Sequence, residues 1–365
     1  MKALDILQLR LSNTGLSASS FDSPEAVVKH LGAVQAQDFS AAKWAVGLRM
    51  QNATDVIVEK AFNEGKFLRT HVMRPTWHFV LPEDIRWMLQ LTAPRIRRIL
   101  GPYDQMLEIT KKKLSQSQAE IKNALEGKKF LTRTELADIL ERKDMRVRGQ
   151  RLGHILMYAE LDSLICSGPR RGKQFTYALL EERVPKYRKL SREESLAKLA
   201  LKYFTSHGPA QTRDFAWWSG LSAKDSNQAV DSVQSKLSQT ILNGKAYYFS
   251  HETWARRQGS KNAFLDSDKQ AFLLSIYDEY TIAYKDRSDL SEKRDIERLI
   301  LMGNALTAVI VLDGKVVGTW KRILKKDTVE INLNPFKKLD EVKLELVKKA
   351  AKHYGMFLNK AVIFA

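Results

Sequence analysis

Gln35 and Gln37 stand one residue apart in the stretch Gly32-Ala33-Val34-Gln35-Ala36-Gln37-Asp38-Phe39. A neutral amide offers one acceptor oxygen and two N–H donors, so two of them can grip a single water or one base edge. Residues at i and i+2 point about 200° apart on a helix, but to the same side of an extended or turning chain. Joint action therefore requires the preceding helix to stop before Gln35, and Gly32 supplies a stop. The plainer alternative is that both amides satisfy backbone groups in an interhelix turn. Spacing alone favours that alternative.

The surrounding residues say which elements position this stretch. Ser23 and Pro24 suit the N-cap and first-turn positions of a helix. Val27, Leu31 and Val34 then recur at i, i+4, i+7, the spacing of a buried helical stripe. Ser40 is predicted to cap a further helix from Ala41 towards Arg49, which carries Trp44. An amphipathic helix through Leu4, Leu7 and Leu11 precedes the stretch, and Val56 to Phe62 forms another after it. Phe67–Thr70 and Thr76–Val80 read as two short strands. Three helices followed by a two-stranded ribbon outline a winged helix over residues 1–100. Pro82 restarts a helix that leads to a linker around Gly101-Pro102.

The outline recurs over residues 101–188. Thr132 and Glu135 form a capping box, stapled by Leu131 and Leu136. Leu152, Ile155, Leu156 and Ala159 share one face of a third helix, with Arg146, Arg148 and Arg151 at its start. Two strands then flank Gly168-Pro169-Arg170-Arg171-Gly172-Lys173, a basic wing tip suited to phosphates; a solvated charged face accounts equally well for any single arginine. A third copy is expected over residues 189–258. Ser191 and Glu194 cap its first helix, Thr212 its second and Ser222 its third, and Asn243-Gly244 turns its hairpin. Residues 259–365 read as a small β-rich domain, open or barrel-like, with a hairpin turn at Asp313-Gly314 and a last helix from Asp340 to Tyr354. The expected class is α+β: tandem winged helices followed by this C-terminal β-rich domain.

Composition narrows the partners. The 365 residues carry a net charge of +18, a field that favours polyanions through counterion release and steering. The charge is spread along the chain rather than gathered on one amphipathic helix, which favours nucleic acid over a membrane surface. No apolar run is long enough to span a bilayer and no signal-peptide pattern opens the chain, so a cytoplasmic protein is expected. Cys166 is the only cysteine, which excludes disulfide frameworks and clustered-cysteine zinc sites. The seven histidines lack paired ligand spacing, although His71 and His78 flank one hairpin and could face each other. Phosphate-cradling glycine loops and serine-nucleophile elbows are missing, so neither nucleotide hydrolysis nor serine-hydrolase chemistry has support. No cofactor and no metal is expected.

Trp217-Trp218 lies on a short helix and reads as core rather than a stacking platform. Asp278, Glu279, Tyr280, Tyr284, Lys285, Asp286 and Arg287 form a polar cluster beside the apolar Leu273, Leu274 and Ile276. A site and a solvated turn with internal ion pairs account for it equally well.

Four stretches taken together resemble one family. They are Ala33-Val34-Gln35-Ala36-Gln37-Asp38, Arg74-Pro75-Thr76-Trp77-His78, Tyr277-Asp278-Glu279-Tyr280 with Lys285-Asp286-Arg287, and Asp313-Gly314-Lys315-Val316-Val317-Gly318-Thr319-Trp320. In this order they resemble the winged-helix DNA glycosylases of the AlkZ type, which unhook interstrand crosslinks and excise N7-alkylated guanine. The similarity spans most of the chain, and its implied fold agrees with the independent outline above. The family's catalytic signature is a glutamine, an apolar residue, then glutamine or aspartate; Gln35, Ala36 and Gln37 match it.

The resemblance implies a glycosylase acting on duplex DNA with alkylated bases; nothing in the sequence points to a lysine Schiff base, so a monofunctional enzyme is expected, acting as a monomer. Gln35 and Gln37 would orient the attacking water; Asp38 would either add negative charge near the sugar cation or cap a helix, with capping favoured. Expected DNA contacts are Arg148, the wing residues Arg170, Arg171 and Lys173, and Arg74, His78, Tyr280 and Arg287 within the shared motifs. The rival is a winged-helix DNA-binding protein without catalysis, such as a regulator. Such a protein has no need of two amides in its first interhelix turn, and the chain has no heptad seam to pair two copies.

Overall fold

The computed structural model describes residues 3–17, 21–147, 149–252, 270–291, 295, 297 and 307–365. Arg148 and the expected boundary between residues 258 and 259 lie outside them. The chain gathers into two compact units, each discontinuous in sequence. One comprises Met1–Glu59, Leu196–Trp218 and Ser222–Ala365; the other comprises Lys60–Ser195 and Ser219–Leu221. Helices and mostly antiparallel strands are mixed along the chain, an α+β content.

In the first unit, Ser23 accepts the Ala26 amide at 3.3 Å and Pro24 opens the helix Pro24–Leu31. Gly32 ends it at φ 80°, a left-handed conformation that suits a residue without a Cβ, and returns its N–H to Val28. The chain then extends as the short strand Val34–Gln35 before the helix Phe39–Gly47. Asp38, not Ser40, is the N-cap: its carboxylate accepts the Ala41 amide at 2.9 Å while Ser40 stays exposed within the first turn.

The C-terminal residues of this unit form an open five-stranded sheet. Its order is Ala361–Phe364, Thr328–Pro335, Lys315–Leu324, Val309–Leu312, Ala271–Leu274. All pairs are antiparallel except the first, which is parallel. Parallel neighbours require a crossover, here the Asp340-capped helix Glu341–Leu358, which ends on Asn359 at φ 52°. Trp44 donates its indole N–H to the Leu273 carbonyl at 2.7 Å and packs on His353, Tyr354 and Phe357. Trp320 donates to the neighbouring Leu274 carbonyl at 2.8 Å. The N-terminal helices and the C-terminal sheet therefore share one core. The hairpin Leu237–Leu242 with Lys245–Ser250 turns on Asn243 and Gly244, both with positive φ.

The second unit contains the antiparallel pair Leu68–His71 and Trp77–Val80, followed by the 25-residue helix Pro82–Met106. That helix runs unbroken through Pro94, Gly101 and Pro102, where the sequence predicts a linker. Its buried stripe, including Trp87, Met88, Leu91, Ile96 and Leu100, holds it through positions that intrinsic propensity would break. Helices Lys111–Leu125, Arg133–Glu141 and Gln150–Leu161 enclose a core of Ile121, Leu125, Leu136, Leu140, Leu152, Ile155 and Leu156. The Thr132–Glu135 capping box is present, with bonds of 3.2 and 2.7 Å. A three-stranded sheet, Leu131–Thr132, Thr176–Leu179, Ile165–Ser167, completes this unit.

Candidate active site

The backbone around the two glutamines is pinned from below. Ala33, Val34 and Ala36 are fully buried, Gln35 is 7% exposed, and Gln37 lies open to solvent. With Gly32 stopping one helix and Asp38 starting the next, Gln35 falls at the end of an extended stretch and Gln37 in the bend that follows it.

A carboxylate holds that backbone. Glu279 Oε1 accepts the Gln35 amide N–H at 2.8 Å, and Oε2 accepts the Trp218 indole N–H at 2.9 Å. His207 Nε2 lies 3.5 Å from the same Oε2. Glu279 has no solvent exposure, and a buried carboxylate is tolerated only when such donors replace its water. His207 is held in turn by stacking on Tyr203 and by Ser206 Oγ, 2.8 Å from Nδ1. Next to Glu279, Asp278 caps the one-turn helix Glu279–Ile282 and receives Arg49. Tyr277, just before the pair, sits at φ 65°, uncommon for an aromatic residue and tolerated where surrounding contacts fix the chain.

The polar cluster read from the sequence thus divides. Asp278, Glu279, Tyr280 and Tyr284 are buried. Burial pushes the Tyr280 and Tyr284 phenols well above the ordinary tyrosine range. As neutral donors they bond the carbonyls of Gly314 and His207 at 2.7 and 2.8 Å. Asp286 belongs to the other alternative, an ion-paired turn with Lys245 at 2.9 Å and Arg213. Burial acts against its charge, but bonds from Ser288 and Lys245 outweigh that and hold its carboxyl below the usual range.

The expected DNA contacts are dispersed. Tyr280 and His78 are fully buried, so neither presents surface to a duplex in this structure. His78 directs Nδ1 to the Thr76 carbonyl at 2.9 Å and pairs across the hairpin with Thr70, not His71. His71 instead meets Trp77 and the buried carboxylate of Glu160. Arg287 is half-buried, bonded to the Thr281 carbonyl at 2.9 Å, with its guanidinium over Trp217. Trp217 is 40% exposed where its neighbour Trp218 is fully buried, so only one of the two is core.

In the second unit Arg74 sits half-buried in the loop between paired strands. The basic loop lies between Ile165–Ser167 and Thr176–Leu179: Arg171, Gly172 and Lys173 are exposed, and Arg170 is half-buried over Phe175. Arg171 is anchored to Glu135 and to the Phe130 carbonyl, each at 2.7 Å.

Trp218, His207 and Arg49 are absent from the residues expected at the site, and Glu279 enters the expectation only within the polar cluster and its motif, without a link to Gln35. Glu279 had one signal in the sequence, an acidic pair directly after an apolar run. Its partner Gln35 is 244 residues away, a separation no local pattern reaches.

The comparisons with known proteins agree with this architecture. Over 359 residues the chain is 24% identical to the interstrand DNA cross-link repair glycosylase of Streptomyces sahachiroi, covering 94% of this chain and 93% of that protein. The solved structure of Streptomyces sahachiroi DNA glycosylase AlkZ superposes with a TM-score of 0.81, at 20% identity and over 100% of both chains. The model of the AlkZ-like DNA glycosylases matches residues 28–357, and the chain belongs to that family.

Proposed function

We propose that this protein hydrolyses the N-glycosidic bond of N7-alkylated purines in duplex DNA and extends this to unhooking interstrand crosslinks. The carrying observation is Gln35, held in extended backbone between a helix stop and a helix cap, with Gln37 two residues on. Alkylation at N7 makes the purine cationic and a good leaving group, so little acid assistance is needed. Departure builds oxocarbenium character on the sugar, and water must reach the anomeric carbon from the opposite side. Two neutral amides orient that water; they are too weakly basic to deprotonate it as a carboxylate would.

The helix–helix–helix–hairpin order supports tandem winged helices as the DNA-gripping scaffold, with Arg170, Arg171 and Lys173 on a wing and Arg74 and Arg287 as further contacts. A monomer acting in the cytoplasm, and a monofunctional enzyme without a lysine Schiff base, complete the reading. Among the described residues no helix is long and apolar enough to cross a membrane.

The test is release of free base from duplex DNA carrying N7-methylguanine, by the wild type and by Gln35→Ala with Gln37→Ala. Release by the wild type alone, with equal duplex affinity, is expected. Equal release by both proteins would move the site elsewhere. Loss of binding together with release would make the pair a DNA-contact element. Tight binding without release by the wild type would favour a non-catalytic DNA-binding protein.

A further inference from the structure

We propose that Glu279 is a positioning residue for Gln35: its buried carboxylate sets the backbone from which the Gln35 amide reaches the attacking water. This inference rests on the reading of Gln35 as catalytic. Three observations carry it. Glu279 spends its two oxygens on two different donors, the Gln35 N–H and the Trp218 indole N–H, at 2.8 and 2.9 Å. It is fully buried, so water cannot replace either bond. It is itself fixed on both sides, by the Arg49–Asp278 pair next to it and by His207 at 3.5 Å.

The geometry has a chemical consequence. The strand Val34–Gln35 is only two residues long, and the backbone N–H of its last residue is spent on Glu279. A shift of the Gln35 N–H moves its Cα and the side-chain amide with it. Orientation of a water is the whole of the glutamines' proposed contribution, and misplacement by about 1 Å can cost on the order of 10²-fold in rate.

Glu279→Gln is close to isosteric but offers one acceptor oxygen to two N–H donors, so one donor faces an NH2 group. Trp218→Phe keeps an aromatic ring and removes the donor that steadies Oε2, together with part of the buried ring volume. Each full-length variant is assayed for N7-methylguanine release in single-turnover conditions with enzyme in excess, and its affinity for undamaged duplex is measured alongside. With folded enzyme still in saturating excess over the DNA, a smaller folded fraction leaves the single-turnover rate constant unchanged, so a purely structural role would not lower it.

The expected result is a rate constant lower by on the order of 10²-fold for Glu279→Gln, a smaller loss for Trp218→Phe, and unchanged duplex affinity for both. If Glu279→Gln does not fold, Trp218→Phe decides. Wild-type rate constants in the folded variants, with Gln35→Ala inactive, would overturn the positioning role and leave the functional reading standing. An inactive wild type, or Gln35→Ala at the wild-type rate, would overturn both.

Discussion

Arg49 and Asp278 form a two-bond ion pair, Nη1 to Oδ2 at 2.9 Å and Nη2 to Oδ1 at 2.8 Å, and neither residue has any solvent exposure. Arg49 also donates to the carbonyls of Thr14 and Ala45 at 2.6 and 2.7 Å, so four of its five donors are used. The pair joins the end of the helix that follows the glutamines to the residue beside Glu279. Through it, two segments 229 residues apart in sequence share one fixed frame.

Arg49→Met removes the cation and leaves Asp278 charged in the interior. Breaking a buried pair in this way costs about 3–5 kcal/mol. Guanidinium denaturation of the full chain should show a loss in that range. A loss below about 1 kcal/mol, the size of an exposed pair, would mean that water reaches Asp278.

What the sequence made legible was local. The glycine stop at Gly32, the Thr132–Glu135 box, the Ser191–Glu194 box and the turns at Asn243-Gly244 and Asp313-Gly314 each depend on residues within four positions of one another. Two local rules gave the wrong result for physical reasons. Asp38 outcompeted Ser40 as a cap, and the packed face of Pro82–Met106 kept a helix through two internal prolines. The carboxylate beneath Gln35 and the Trp44 bond to Leu273 arise only when distant segments fold together, so neither leaves a spacing to read.

The basic loop Arg170–Lys173 holds two kinds of cation. Lys173 is exposed at the tip, whereas Arg171 is tied to Glu135 and to the Phe130 carbonyl. If both reach phosphates, replacing either by alanine should weaken binding to all duplex sequences alike. The slope of log K against log salt should then fall by about 0.9 for each phosphate that is no longer neutralised. Arg171→Ala alone should also lower the melting temperature, because it removes two internal bonds. A sequence-dependent loss of affinity would contradict the phosphate role.

Trp44→Phe keeps most of the aromatic packing against Tyr354 and Phe357 but leaves the buried Leu273 carbonyl without its indole donor. The expected cost is about 1–3 kcal/mol, read as a shift in the denaturation midpoint at unchanged m-value. Trp320→Phe should cost a similar amount, since Trp320 serves Leu274 in the same way. No change in either variant would mean that water replaces the indole at that sheet edge.

Gln37 offers a control that separates chemistry from stability. It is exposed, in contrast to Gln35, and exposed substitutions away from special features usually change stability by less than about 0.5 kcal/mol. Gln37→Ala should therefore melt with the wild type while losing excision. A marked drop in melting temperature would show that Gln37 supports the turn before Asp38, and its loss of activity would then have a structural cause.

Cys166 supplies a pH-dependent term far from the glutamines in sequence. It is fully buried in the strand Ile165–Ser167, and burial pushes its thiol up to about 12 from an ordinary 9.0. Because the folded value is the higher one, the contribution is fully present below pH 9. Above that, the unfolded chain releases the proton while the folded chain keeps it, so stability falls by up to about 1.4 kcal/mol per pH unit until the folded thiol also ionises. Cys166→Ala removes this term, so the stability gap between wild type and variant should narrow as pH rises from 9 towards 11. At pH 8 a thiol reagent should label the native chain only as fast as the strand opens, and the unfolded chain at once. Rapid native labelling, or a gap that stays constant with pH, would place the thiol in contact with solvent.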